Sequence, residues 1–220
     1  MKYLEIRRQA EIMIDRLIES SLSVRQFRPS TGTGANSKTY GSIKAVRETL
    51  AMKSVPYQDI YDSLLEKNSY HVMMVDGSLL SFQYTFNAGG EQLEKHRLTY
   101  FPSPKLPEYD QLYEEYLCDD IYIDAHDESL VKFPMRFDYD PVNARGIMHP
   151  ASHMTLGQYT NCRVPVTMPV TPRKFILFIV RNFYFTAYKA NKNLFDKSAP
   201  FVTPVTAITE TERQISHFII

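Results

Sequence analysis

The sequence predicts an α+β fold, in which an antiparallel β-sheet has helices packed on one face and an N-terminal amphipathic helix. Three observations predict it. Residues 70–101 alternate apolar and polar side chains between turn residues, which indicates neighbouring antiparallel strands. Residues 3–20 and 173–189 instead repeat apolar side chains at helical spacing. The 220 residues are 44% hydrophobic, which is enough to bury a large core.

The first helix is expected at residues 3–20, because its apolar side chains recur every three or four residues. This stripe consists of Tyr3, Ile6, Ala10, Met13, Ile14 and Leu17. Further helices are expected at residues 42–53, 56–67, 106–117 and 173–189. Pro56 and Pro172 each suit a first helical position, since proline lacks the N–H that is unpaired there.

The strands are expected at residues 70–75, 79–86, 93–101 and 131–139, and the sheet is expected to have about four to six strands. The first two flank Asp76-Gly77, a pair that supplies the backbone angles of a tight hairpin turn. A second turn at residues 87–90 completes a three-stranded meander. Pro134 interrupts the last strand, which favours a sheet edge or a bulge there.

Two parts of the chain are expected: residues 1–55 as a helical extension with a flexible loop, and residues 56–220 as the α+β domain. Residues 28–39 are similar to a phosphate-binding loop, but Ser37 stands where the second required glycine belongs. We therefore expect a surface loop there, with a nucleotide site as the less favoured interpretation.

Composition indicates a cytoplasmic protein without membrane contact, because no apolar run approaches the roughly 20 residues of a membrane span. With Cys118 and Cys162 as its cysteines, a disulfide framework is implausible. The apolar terminal segments favour a protein partner or a homo-oligomer that covers them. Burial in a monomeric core is the alternative.

The net charge of zero conceals an uneven distribution. Residues 108–129 carry nine acidic residues and no Lys or Arg, whereas residues 163–197 carry seven basic residues and one acidic residue. Such polarity can steer nucleic acid to one face of a protein, so nucleic acid is a candidate partner. The alternative is that oppositely charged surfaces face each other or water.

The candidate site lies in residues 136–163, where charged and imidazole side chains concentrate between apolar runs. Alternate residues of a strand share a face, so Arg136, Asp138 and Asp140 are expected on one side and the aromatic residues between them on the other. His96 and Arg97, on an earlier strand, are expected to complete this polar face.

Metal-free cleavage of RNA needs a base, an acid and cations that hold the phosphate charge. Histidine titrates near neutral pH, and arginine binds phosphate in a bidentate manner. The expected catalytic residues are His96, His149, His153 and Asp138. The expected phosphate-binding residues are Arg97, Arg136 and Arg163. No cofactor is expected.

Two alternatives stay open for these residues. In the first, Arg136 pairs with a neighbouring aspartate to brace the sheet, while the histidines cap turns. In the second, His149 and His153 bind a metal ion together with Cys162 or Asp138. The second is less favoured, because known zinc motifs cluster their ligands more tightly.

Six motifs in a fixed order resemble a known family. They are Asp76-Gly77-Ser78-Leu79-Leu80, His96-Arg97-Leu98-Thr99-Tyr100-Phe101-Pro102, Arg136-Phe137-Asp138-Tyr139-Asp140, His149-Pro150-Ala151-Ser152-His153, Cys162-Arg163-Val164-Pro165 and Phe178-Ile179-Val180-Arg181-Asn182-Phe183-Tyr184. Over roughly residues 55–190 they resemble a bacterial family, domain of unknown function 2290, and this resemblance implies no activity. Their order is more loosely similar to that in small bacterial toxins proposed to cleave RNA.

The expected function is a toxin-like or anti-phage defence component that acts on nucleic-acid phosphodiesters. As an enzyme it would be a nuclease, and metal-independent RNA cleavage is slightly favoured over metal-dependent cleavage. The alternative is a non-catalytic adaptor or regulatory subunit of a bacterial defence or mobile-element complex, in which the central motif only braces the sheet.

Overall fold

The structure is a computed structural model, which describes residues 1–41, 55–104, 124, 132–200 and 202–220. Within these residues the chain forms one nine-stranded sheet and six α-helices. The α+β class with a large antiparallel sheet is therefore confirmed. The helices expected at residues 42–53 and 106–117 lie outside the described residues.

The expected helices at residues 3–20 and 56–67 are present, and all six residues of the predicted apolar stripe of the first are buried. The helices are α1 Tyr3–Glu19, α2 Tyr57–Glu66, α3 Pro172–Phe183, α4 Phe185–Ala190, α5 Lys192–Asp196 and α6 Glu210–Arg213. The strands are β1 Ser23–Gln26, β2 Thr31–Thr33, β3 Ser37–Tyr40, β4 Val72–Met74, β5 Leu79–Asn87, β6 Leu93–Phe101, β7 Met135–Tyr139, β8 Ser152–Leu156 and β9 Val164–Pro165.

The sheet has the order β1-β4-β5-β6-β7-β8-β9, with β3 also pairing with β5 and β2 with β3. The predicted meander is β4-β5-β6, with Gly77 in its first turn at φ +79. In its second turn the Asn87 side-chain oxygen accepts hydrogen bonds from the amides of Glu91 and Gln92. Strands β1 to β3 come from residues 23–40 and belong to the same sheet as the later strands.

One edge of β5 pairs with two strands in succession, β4 near its beginning and β3 near its end. Between them the Phe82 N–H donates to Nδ1 of buried His71 at 2.9 Å. Gly41 lies in the same gap at φ +76, and a Cβ there would be 1.7 Å from the Phe82 carbonyl oxygen. Glycine is required at this position because both the backbone angle and the space exclude a side chain.

The sheet carries helices on both faces. Helices α1 and α3 pack in the main core together with Leu80 of β5. Successive strand residues point to opposite faces, so Leu79 lies on the other face. There it packs with Phe101 and with Ile60 and Leu64 of α2. The expected placement on one face holds for α1 and α3 and not for α2, whose apolar stripe covers the second face.

Strand β7 pairs with β6 on one side and β8 on the other without a register shift, so the expectation of a sheet edge or a bulge was wrong. The strand begins at Met135, directly after Pro134. Proline therefore stands outside the ladder, where its missing N–H costs no strand hydrogen bond. This interior position places the polar residues of β7 between two neighbouring strands.

Residues 28–39 also differ from the expected surface loop, since they contain most of the β2–β3 hairpin. The apolar helix expected at residues 173–189 breaks at Tyr184, which has φ −138° and ψ 47°. The buried Tyr184 hydroxyl donates to Asp76 at 2.8 Å. None of the described helices combines the length and apolar character needed to cross a membrane.

Candidate functional site

Three charged side chains meet on the face of the sheet that α2 partly covers. Asp138 of β7 stands directly opposite Arg97 of β6. The Arg97 Nε donates to Asp138 Oδ1 at 2.8 Å, and the Arg136 Nε donates to Asp138 Oδ2 at 2.5 Å. We call Arg97, Arg136 and Asp138 the Arg–Asp cluster. The structure thus brings together three of the residues that the sequence predicts for the site.

The carboxyl of Asp138 is buried, with 5% of the residue exposed. Burial alone would raise its pKa, but the guanidinium groups of Arg136 and Arg97 outweigh burial and lower the pKa to about 2. The carboxylate is therefore ionised at neutral pH and fully engaged by two cations. Such an arrangement stabilises the sheet and leaves Asp138 poorly suited to transfer protons.

His153 of β8 stands opposite Asp138 on the other side of β7 and is 2% exposed. A carbonyl oxygen can only accept, so His153 Nδ1 carries the hydrogen that it donates to Pro150 O at 2.9 Å. Its Nε2 lies 3.7 Å from Asp138 Oδ2. Burial lowers the pKa of His153 and outweighs the opposing effect of the aspartate. The imidazole is neutral at pH 7 and enclosed.

His149 lies in the segment that leads into β8, so the two histidines are not on a helix. Its ring centroid is 5.0 Å from that of His153, and its Nδ1 donates to the Asn143 carbonyl oxygen at 2.6 Å. Half-buried His149 is the more accessible ring of the pair. The predicted proximity of these two residues is present, but one of them is closed off from solvent.

His96 lies on the opposite face of the sheet from the Arg–Asp cluster, because successive residues of β6 alternate in direction. It is 1% exposed, and its Nε2 accepts a hydrogen bond from the Val170 amide at 2.9 Å. Burial lowers the pKa of His96 to about 3. The sequence expectation that His96 and Arg97 share one face was wrong, and His96 instead anchors the backbone that precedes α3.

A pocket lies beside the Arg–Asp cluster, between α2, the ends of β6 to β8 and residues 157–163. We call it the Arg136–Arg163 pocket after the two arginines that line it. Its volume is about 100 Å³. Among the described residues that line it there is no Asp or Glu. Two cations without a lining carboxylate favour an anionic ligand.

The two arginines differ in how they are held. Arg136 uses Nε for Asp138, and within the described residues its two terminal nitrogens make no hydrogen bond. Arg163 donates from Nη1 to the Thr160 carbonyl oxygen at 3.4 Å. Both arginines were predicted as phosphate-binding residues, whereas the third of that set, Arg97, does not line the pocket.

Thr99 and Thr155 were not among the predicted site residues. They flank Arg136 directly, on β6 and β8, and all three line the pocket. Both threonines are at least nine-tenths buried, and within the described structure neither hydroxyl oxygen has a hydrogen-bond partner. A buried hydroxyl without a hydrogen-bond partner lowers the stability of the folded protein. Thr99 follows Arg97 by two residues, so the alternation that predicts a shared strand face was the available signal for it.

Two hydrogen bonds hold the pocket wall in place, and they involve α2 and Val55, which precedes this helix. The Gln158 side chain donates to the Val55 carbonyl oxygen at 2.9 Å, and the Tyr57 hydroxyl donates to the Pro102 carbonyl oxygen at 2.6 Å. Across the described residues, no group of three His, Cys, Asp or Glu side chains is placed to hold a metal ion. Cys162 lies in the pocket wall with a free thiol.

The fold and site define a mixed α/β protein whose antiparallel sheet holds an Arg–Asp cluster beside a cationic pocket. A family model described as uncharacterized conserved protein (DUF2290) matches residues 24–220, and the chain belongs to this family. No curated protein and no solved structure matches the chain. The family description names no activity, so function is argued from the site, and the looser similarity to RNA-cleaving toxins stays a prediction.

Proposed function

We propose that this protein binds nucleic-acid phosphates at the Arg136–Arg163 pocket. The observation that carries the proposal is the pocket's lining: two arginines, buried hydroxyls and, among its described residues, no carboxylate. Arginine suits this task because its planar fork of N–H donors matches phosphate oxygens. A toxin-like or anti-phage defence role is the proposed setting. Motifs whose order suggests this role lie on the strands that build the pocket.

Binding is favoured over cleavage by the state of the predicted acid–base residues. His153 is enclosed and uses Nδ1 for a backbone carbonyl, and Asp138 is held between two guanidinium groups. A general acid–base pair needs access to the reacting oxygens. His149 is the one accessible member of the pair, so we propose a phosphate-binding protein rather than a nuclease.

A second candidate is the non-catalytic adaptor or regulatory subunit. Two observations favour it: the burial of Asp138 in the Arg–Asp cluster, and the exposed apolar side chains of the segment between β7 and β8. Val142 is 88% exposed and Met148 76% exposed. Exposed apolar groups of this kind are found at protein-binding surfaces.

The test measures the affinity for a fluorescent single-stranded oligonucleotide by anisotropy at several salt concentrations. We expect Arg163→Gln to weaken binding about tenfold, because a hydrogen bond to a charged group contributes roughly 1.5–3 kcal/mol. Its slope of log affinity against log salt should also decrease by about 0.7 for one lost phosphate contact on a single strand. The matched control is Arg181→Gln, the same change on exposed Arg181 of α3, which packs on the other face.

Equal affinities for Arg163→Gln and Arg181→Gln would reject the pocket as the binding site. Incubation with RNA and with single-stranded DNA, with and without EDTA, tests cleavage in the same preparations. Cleavage that is lost in His149→Ala would show that the protein is a nuclease and would overturn the binding proposal. Absence of both binding and cleavage, together with a folded protein, would favour the adaptor.

A further inference from the structure

We propose that the Arg136–Arg163 pocket takes a terminal phosphate group, the phosphate-bearing end of a nucleic-acid strand, rather than a phosphodiester within the strand. This inference rests on the proposed function and narrows its ligand. It is carried by the pocket's volume, by the two hydroxyls beside Arg136 that have no hydrogen-bond partner among the described residues, and by an exposed tyrosine in the pocket's lining.

The volume limits the ligand. A dry protein cavity of about 150 Å³ accommodates one benzene molecule. The Arg136–Arg163 pocket, at about 100 Å³, encloses space for about one phosphate-sized group, so a nucleoside attached to that group would lie at the pocket's open side. A phosphodiester within a strand carries a nucleoside on each side, so it cannot enter a space of this size as deeply as a terminal phosphate can.

The donors match a group with several oxygens. Thr99 and Thr155 lie directly across from Arg136 on the two neighbouring strands, so their side chains are about 5 Å from it on either side. A terminal phosphate offers three oxygens that are not bonded to carbon, one more than a phosphodiester. The terminal nitrogens of Arg136, which have no other hydrogen bond within the described residues, supply the charge between the two hydroxyls.

The lining also offers a surface for the base nearest the terminal phosphate. Tyr159 lines the pocket and is 76% exposed, so its ring is available from solvent. Bases stack on such rings regardless of sequence. With the phosphate beside Arg136, the first base of the strand would lie against Tyr159, and the remainder of the strand would extend into solvent.

The experiment compares single-stranded oligonucleotides of one sequence with a 5′-phosphate, a 3′-phosphate or hydroxyl groups at both ends. Inorganic phosphate and a nucleoside monophosphate serve as competitors. We expect the full-length protein to bind one phosphorylated end at least about tenfold more tightly than the hydroxyl-ended strand. Thr155→Val, which removes one hydroxyl at nearly constant volume, should reduce this preference. Thr85→Val on β5, outside the pocket, should preserve the preference.

The outcomes separate the two proposals. If all three strands bind equally and Arg163→Gln weakens their binding, the proposed preference for a terminal phosphate is overturned. The proposal of nucleic-acid binding is then left intact. Tight binding of inorganic phosphate or the nucleoside monophosphate, without binding of any strand, would support a phosphate site in the pocket. It would overturn the proposal that the phosphate belongs to a nucleic acid. If no strand and no competitor binds to folded protein, both proposals fail.

Discussion

The two buried histidines that accept backbone hydrogen bonds predict a loss of stability at mildly acidic pH. His71 accepts from the Phe82 amide and His96 from the Val170 amide, and each does so through an unprotonated ring nitrogen. Burial lowers the pKa of each to about 3 from the ordinary 6.5. Their contribution to stability is therefore fully present above pH 6.5 and is lost as the pH falls from 6.5 toward 3.

The magnitude can be calculated from the two pKa values. Between pH 7 and pH 5, the unfolded chain takes up protons at these histidines and the folded chain does not. This proton uptake lowers the free energy of unfolding by about 2 kcal/mol for each histidine, and by about 4 kcal/mol for the pair. Denaturation in urea at both pH values measures this loss.

The matched variant is the double substitution His71→Asn with His96→Gln. The asparagine oxygen can replace Nδ1 of His71 and the glutamine oxygen can replace Nε2 of His96, so both acceptors are retained without titration. We expect the variant to lose about 4 kcal/mol less than the wild type between pH 7 and pH 5. Equal losses in the two proteins would refute the assignment, because the pH dependence would then come from other groups.

Three further features are tested by single substitutions. Gly41→Ala should cost more than about 3 kcal/mol, because its Cβ would meet the Phe82 carbonyl oxygen, whereas Gly146→Ala, with positive φ and open space, should cost about 1–2 kcal/mol. Asp138→Asn should cost about 2–4 kcal/mol, since it leaves two guanidinium groups without their buried anion. Tyr184→Phe should cost about 1–3 kcal/mol through the lost hydrogen bond to a buried carboxylate.

Thermal unfolding measures all of these, with about 2–4 °C of Tm per kcal/mol for a chain of this size. Equal effects of Gly41→Ala and Gly146→Ala would contradict the close approach to Phe82. An Asp138→Asn variant as stable as the wild type would show that the Arg–Asp cluster does not brace the sheet. An unchanged Tm in Tyr184→Phe would show that the hydrogen bond to Asp76 contributes little to stability.

Local patterns predicted the elements that depend on near neighbours. The apolar stripe of α1, the Asp76-Gly77 turn and the three-stranded meander are all present where the sequence places them. Each depends on periodicity or turn chemistry within a few residues. The β2–β3 hairpin was missed because residues 31–40 are polar and carry Gly and Ser, which are typical of loops.

The site was predicted less completely, because strand alternation and neighbouring elements decide which side chains meet. The pairing of Arg136 with Asp138 was one of the predicted alternatives. The direction of His96 was missed although alternation separates it from Arg97, and its acceptor role depends on Val170, which is 74 residues away in sequence. The pocket also needs α2 and residues 157–163, and nothing in the local sequence indicates that these pack together.

The most direct test of phosphate binding at the Arg136–Arg163 pocket uses the free thiol of Cys162 in its wall. In a Cys118→Ser background, Cys162 is the remaining cysteine, and its alkylation rate can be followed by mass spectrometry with and without saturating oligonucleotide. A strand whose phosphate occupies the pocket should slow alkylation severalfold, and Arg163→Gln should reduce the protection at the same strand concentration. An unchanged alkylation rate while the strand is bound would contradict phosphate binding in this pocket.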